Sequence, residues 1–367
     1  MNAVKRSSVA LILGVVLSSA GCESERASEP QAQSQDLRDV FERTESIVLE
    51  EPGLNIIGRL YAVRPSASGD TLLILDPMSH RVRLHGRDGS FIRSRGGPHG
   101  GDGPGEFRTP WTVAWDESGH IWVADQFNPR LTLLTPDLQL DTTFAVDPAR
   151  LVRNIHRIGS RLLFQVRTES GGPQLDLMEP DGSLARSFHP PHPRAQEPYW
   201  IQFSLSVTAV SDSLVAVAFP MEYPLHIYSA AGVLLSDDFG HPPPSWRQAE
   251  LLEAGAFAIG GSGSPQGSPM AWRRSFTRVH SLGFASDVCL MVVHEIPDRE
   301  ERALLRFDFL ADVYDIRTGR KVLEDVEMPG TLIHASTDGM FFLVRSPPDP
   351  WEIEVWRARA GGVQCNP

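Results

Sequence analysis

The chain has 367 residues, with 34 Lys and Arg against 46 Asp and Glu and a formal net charge of −12. An acidic surface of this kind excludes a nucleic-acid binder, because phosphate affinity needs a basic face. Three cysteines without zinc-ligand spacing exclude a small zinc module, and the length allows one large all-β domain or two average ones.

Lys5 and Arg6 precede an apolar run, Val9 to Leu17, which is short for a bilayer span and the right size for a signal-peptide core. It ends in Leu17-Ser18-Ser19-Ala20-Gly21-Cys22. Small residues before a single cysteine resemble a bacterial lipoprotein processing site. That resemblance implies removal of residues 1–21, acylation of Cys22 and attachment to the cell envelope. Family sites usually carry Leu where this chain has Ser19, and an ordinary secretory signal beside a chance cysteine is the alternative. Glu23 follows the cysteine, where many inner-membrane lipoproteins carry Asp, so the expected address is the outer membrane. Residues 22–45 are rich in Ser, Gln, Glu and Ala and read as a tether, with the folded part beginning at Ser46.

From there the chain is a succession of short β-rich runs. The first unit, Leu54 to Arg95, has an expected inner strand over Ile56–Val63, further strands at Leu72–Leu75 and Val82–His85, and an outer strand at Phe91–Arg93. Arg87-Asp88-Gly89-Ser90 forms its outer hairpin turn. The second unit, from Gly96, has strands at Trp111–Trp115, Ile121–Ala124 and Leu131–Leu134, separated by Asp116-Glu117-Ser118-Gly119 and Asp125-Gln126-Phe127-Asn128. Asp76 and Arg81 in the first unit recur as Asp125 and Arg130 in the second, read as an inter-strand brace. A meander of this size cannot bury its own faces and needs copies of itself alongside.

The stretch Gly96–Arg130 reads GGPHGGDGPGEFRTPWTVAWDESGHIWVADQFNPR. Its glycines, Phe107, Pro110, Asp116, Gly119, Asp125, Asn128 and Arg130 resemble one blade of an NHL-type repeat. The match is close over about forty residues and holds by pattern elsewhere. It implies an all-β fold: a six-bladed β-propeller of four-stranded antiparallel blades. It implies no particular activity, because propellers host many.

The third and fourth units span Leu151–His189 and Trp200–Phe239, with outer turns at Gly182 and Gly232. Gly89, Leu138, Gly182 and Gly232 recur roughly every fifty residues, and the next comparable turn, at Gly319, comes about ninety later. An insertion at about 241–270 accounts for the difference, opening with a short helix from Ser245 to Ala256, capped by Ser245. The fifth unit resumes at Phe276. The sixth, from Thr331, lacks an outer strand before the chain's last residues. Ser46–Glu50 is the unassigned strand at the other end, and it is expected to close the ring. The propeller therefore spans 46–361, with a tail at 362–367.

Cys289 and Cys365 are able to pair in an oxidising compartment; the alternative is a buried Cys289 and a free tail thiol. His156, His280 and His334 lie on inner strands of three units, and a channel metal such as Ca or Zn is the weaker reading beside no cofactor at all. Arg59, Arg108, Arg153 and Arg278 fall near inner-strand starts, with Trp111 and Trp200 beside them. Gathered at one mouth they would receive a small anionic ligand with an apolar body. The alternative is that each arginine pairs with an acid of a neighbouring blade. The expected protein is a monomeric, lipid-anchored binding module whose partner is a small anion or another envelope protein. A hydrolase or lyase of the propeller lactonase or amidating-lyase kind is the alternative, although no GxSxG, HExxH or Walker sequence is present.

Overall fold

A computed structural model of the protein describes residues 37–53, 56–97, 99–168, 172–193, 206–249, 272, 275–297, 308–344, 350–359 and 365. Cys22, Trp200 and the expected signal peptide lie outside these residues. So does most of the insertion.

The blades follow one plan. Blade one is β2 (Ala62–Pro65), β3 (Thr71–Asp76), β4 (Arg81–Gly86) and β5 (Phe91–Gly96). Blade two is β6 (Pro110–Trp115), β7 (Ile121–Asp125), β8 (Arg130–Leu134) and β9 (Leu140–Ala145). Blade three is β10 (Arg150–Ile158), β11 (Arg161–Thr168), β12 (Leu175–Met178) and β13 (Leu184–Phe188). Blade four is β14 (Val207–Val210), β15 (Leu214–Ala218), β16 (Leu225–Ser229) and β17 (Leu234–Phe239). Blade five is β18 (Arg278–Ser286), β19 (Cys289–Ile296), β20 (Asp308–Asp315) and β21 (Lys321–Glu327). Blade six is β22 (Thr331–Ala335), β23 (Met340–Val344), β24 (Glu352–Ala358) and, from the other end of the chain, β1 (Phe41–Val48). The sheets are antiparallel, and their innermost strands meet in ring order from β2 round to β22 and back to β2.

Each blade has a neighbour on both faces, so its middle strands are apolar on both sides. All eight residues of β19 are buried, and five of the six in β3. Six apolar clusters fill the six blade interfaces. Outer strands such as β9 are largely exposed, and alternation weakens there.

The ring closes as expected, with β1 running antiparallel to β24. The folded part reaches back beyond Ser46, however, at least to Leu37. A turn of helix, α1 (Leu37–Val40), leads into β1, and Leu37, Val40 and Phe41 are buried between blades five and six. Three apolar side chains in a polar stretch suffice to dock residues 37–45, which are therefore not tether. The inner strand of blade one also moves. Residues 57–61 are not strand, because the Asp76 carboxylate accepts from the backbone N–H groups of Gly58 (3.0 Å) and Arg59 (3.1 Å) and holds this segment as a connector.

Asp125 does the same to Arg108 (2.6 Å) and Thr109 (2.8 Å), while Arg130 donates to the carbonyls of Asp102 (2.9 Å), Gly103 (2.9 Å) and Glu106. The recurrent Asp and Arg are thus register partners in a hairpin, and the side chains of Asp76, Asp125 and Arg130 fasten the connector. Asp76 forms its buried ion pair with Arg83, at 3.2 Å. Residues 245–249 are not helical: Ser245 instead donates its N–H (3.2 Å) and its hydroxyl to Asp325, and the rest of the expected helix lies outside the described residues. Cys289 and Cys365 form a disulfide, with Cα atoms 5.9 Å apart, which ties Cys365 to blade five.

Candidate functional site: the central channel

The innermost strands surround a channel. At the end where the connectors enter, it widens into a cavity of about 370 Å³. Its walls include Tyr61, Arg64, Trp111, Arg153, Arg278 and the three histidines His156, His280 and His334. No Asp or Glu lines it among the described residues, in a chain with 46 of them.

Arg64, the third residue of β2, lines the channel and is only partly buried, unlike Ala62 and Val63 before it. Its guanidinium donates to the carbonyls of Val63 (3.0 Å) and Ile333 (3.4 Å) and to Asn154 Oδ1 (3.4 Å). It has no carboxylate partner among the described residues. Desolvation pushes its pKa down to about 10, still a cation at neutral pH. Asn154 is itself positioned by the Thr112 hydroxyl at 3.1 Å. Arg64, His156 and His334 also line the cavity at the opposite mouth, so they form the waist of the channel. Burial first, and the neighbouring Arg64 second, bring His156 down to about 3 and His334 well below the ordinary histidine range. Both are neutral at pH 7. His156 Nε2 sits 2.8 Å from the Thr208 hydroxyl.

Arg153 lies over the face of Trp111, 5.4 Å from its ring centre, and Trp111 packs against Tyr61 at 5.1 Å. The Nε–H of Arg153 is buried without a hydrogen-bond partner, and no carboxylate pairs with this residue among those described. Desolvation and the nearby Arg167 lower its pKa. Arg59 is exposed at the rim, 5.2 Å over the Tyr61 ring.

The four arginines of the expected mouth therefore divide. Arg153 and Arg278 face the cavity and Arg59 stands at its edge, whereas Arg108 points to the connector and pairs with Asp102 at 2.7 Å, both exposed. Arg278 is bonded to Glu295, which also takes His280 Nδ1 at 3.4 Å. Burial raises the Glu295 pKa, but the bonds from His280 and Arg278 outweigh it and bring the group to about 2. Arg108 and Arg278 are thus paired with acids, but with acids of their own connector and blade rather than of a neighbouring blade. The three histidines reach the channel, yet no three His, Cys, Asp or Glu side chains converge as a metal set among the described residues. Arg64, Tyr61 and Asn154 were not among the expected site residues.

No family model matches the chain, and no curated protein matches it. Solved structures do. A protein of Bacteroides fragilis NCTC 9343 described as exported superposes with a TM-score of 0.60 at 11% identity, over 90% of this chain and 98% of its own. A DUF4221 family member from Bacteroides vulgatus ATCC 8482 gives 0.59 at 7% identity, over 88% and 99%. A streptogramin B lyase gives 0.50 at 12%, over 85% and 82%. At these identities the likeness is one of fold, a β-propeller, and carries no chemistry.

Proposed function

We propose that this chain is an exported, lipid-anchored propeller that binds a small organic anion, a carboxylate or phosphate with an apolar body, in its connector-side channel. The observation that carries the reading is the pair Arg64 and Arg153, enclosed cations facing one cavity with no carboxylate partner among the described residues. Elsewhere the fold neutralises its buried charges, as at Arg83–Asp76 and Lys321–Asp312. Leaving two arginines uncompensated is costly unless an anion arrives from outside. Guanidinium groups suit such an anion because they bond it bidentately. Tyr61 and Trp111 supply the flat apolar wall.

Isothermal titration with phenyl phosphate and benzoate tests the binding. Arg153→Met is expected to weaken either anion at least tenfold while leaving the melting temperature of the unliganded protein within about 2 °C. Equal affinity in wild type and variant overturns the reading. The anchor is tested separately. Cys22→Ser is expected to move the protein from the membrane fraction to the soluble one, and unchanged membrane association contradicts the anchor.

A further inference from the structure

A further cavity, outside the channel, lies between blades two and three, at the face carrying the β6–β7, β10–β11 and β12–β13 hairpins, away from the connector-side mouth. Its volume is about 450 Å³. The gap has a cause in the sequence. Among the described residues, blade two contributes only Ala114, Ala124 and Leu131 as buried side chains to this interface, against larger residues from blade three. Two alanines cannot fill a wedge that widens outward, and the bulkier side chains further out stand apart around a cleft.

The cleft walls are Trp122, Phe144, Phe164, Leu162, Leu131 and Met178. The Trp122 and Phe144 rings are stacked with centroids 5.4 Å apart and 14° between planes, and Phe164 stands 6.1 Å from Trp122 at 60°. Phe144 is 43% exposed, so the stacked pair is open to solvent at its outer edge. The rim is acidic. Asp116, Glu117 and Glu179 all border the cleft, and no Lys, Arg or His does among the described residues. Asp116 is fixed by Trp122 Nε1–H (3.1 Å) and by the His120 N–H (2.9 Å), so its carboxylate is anchored to the same indole that forms the wall. Glu179 is paired with Arg161 at 2.7 Å, which leaves Asp116 and Glu117 uncompensated by any cation of the lining.

We propose that this inter-blade cleft is a binding site for an organic cation with an apolar body, distinct from the anion site of the channel. Aromatic faces attract a cation through their quadrupole, strongest for Trp, and the flexible side chain of the partly buried Met178 adapts to the apolar part. The carboxylates at the rim supply the long-range attraction and disfavour anions. Among the described residues the connector-side cavity is lined by arginines and no acid, and the cleft by acids and no base.

The probe is benzyltrimethylammonium, with benzyl alcohol as the uncharged control, followed by titration of the Trp122 environment by NMR. The expected result is saturable binding of the cation at least tenfold tighter than the alcohol. Glu117→Gln, at an exposed position, is expected to weaken the cation about threefold, and Phe144→Ala at least fivefold, with the alcohol little affected by the glutamate change. Binding of benzyl alcohol as tight as that of the cation overturns the proposal, as does cation affinity unchanged in both variants.

Discussion

Arg64 sits where a buried charge is least expected, and the neutral histidines around it show how the protein accommodates it. Imidazoles beside a fixed guanidinium and away from water lose their protons, so the waist carries one cation rather than three. The same physics sets acid sensitivity elsewhere. His189 and His294 are almost wholly buried, and burial above all brings each to about 3. An unfolded chain returns them to about 6.5, so their contribution is present above that pH and lost as pH falls towards the folded value. Asp312 opposes this. Burial pushes it up to about 6, so its contribution is present at low pH and lost as pH rises through that value. The histidines win, at about 3 kcal/mol per pH unit for the pair against about 1 kcal/mol for the aspartate. Urea unfolding at pH 7, 6 and 5 is expected to show the midpoint falling steadily below pH 6.5, and a constant midpoint contradicts the assignment.

Elements explain which parts of the fold were legible. Outer hairpins announce themselves because their turns need positive φ: Gly89, Gly182 and Gly232 adopt 88°, 82° and 74°, and Leu138 takes 62° at the equivalent place in blade two. The closing strand was legible because an incomplete sixth blade demanded one. Its start was not, since Leu37, Val40 and Phe41 look isolated until blades five and six receive them. The inner strand of blade one was displaced towards the N-terminus, because an apolar run cannot reveal that Asp76 captures the N–H groups of Gly58 and Arg59. That single displacement ended the expected strand at Val63 and hid Arg64, the site's central residue. β1 itself makes a measurable difference. A chain starting at Leu49 loses the register from Phe41 to Val48 and exposes the edge of β24. Removing the buried Phe41 and Ile47 alone forfeits about 5 kcal/mol. Relative to a chain starting at Leu37, its thermal midpoint is expected to fall by at least about 10 °C, and equal midpoints by circular dichroism contradict the closure.

At the scale of the molecule, six blades bury their apolar faces against one another and leave function to the two ends of the channel and the wedges between blades. Net acidity conceals a cationic connector-side cavity, because the charge total is set by exposed Asp and Glu while the lining of that cavity holds none among the described residues. The channel reading is tested most directly by locating an anion within it. Crystals grown with 4-bromobenzoate are expected to give an anomalous bromine peak inside the connector-side cavity, with the carboxylate bonded to Arg64 or Arg153 and the ring against Trp111 or Tyr61. A peak found only outside that cavity, or an empty cavity at saturating ligand, contradicts the account.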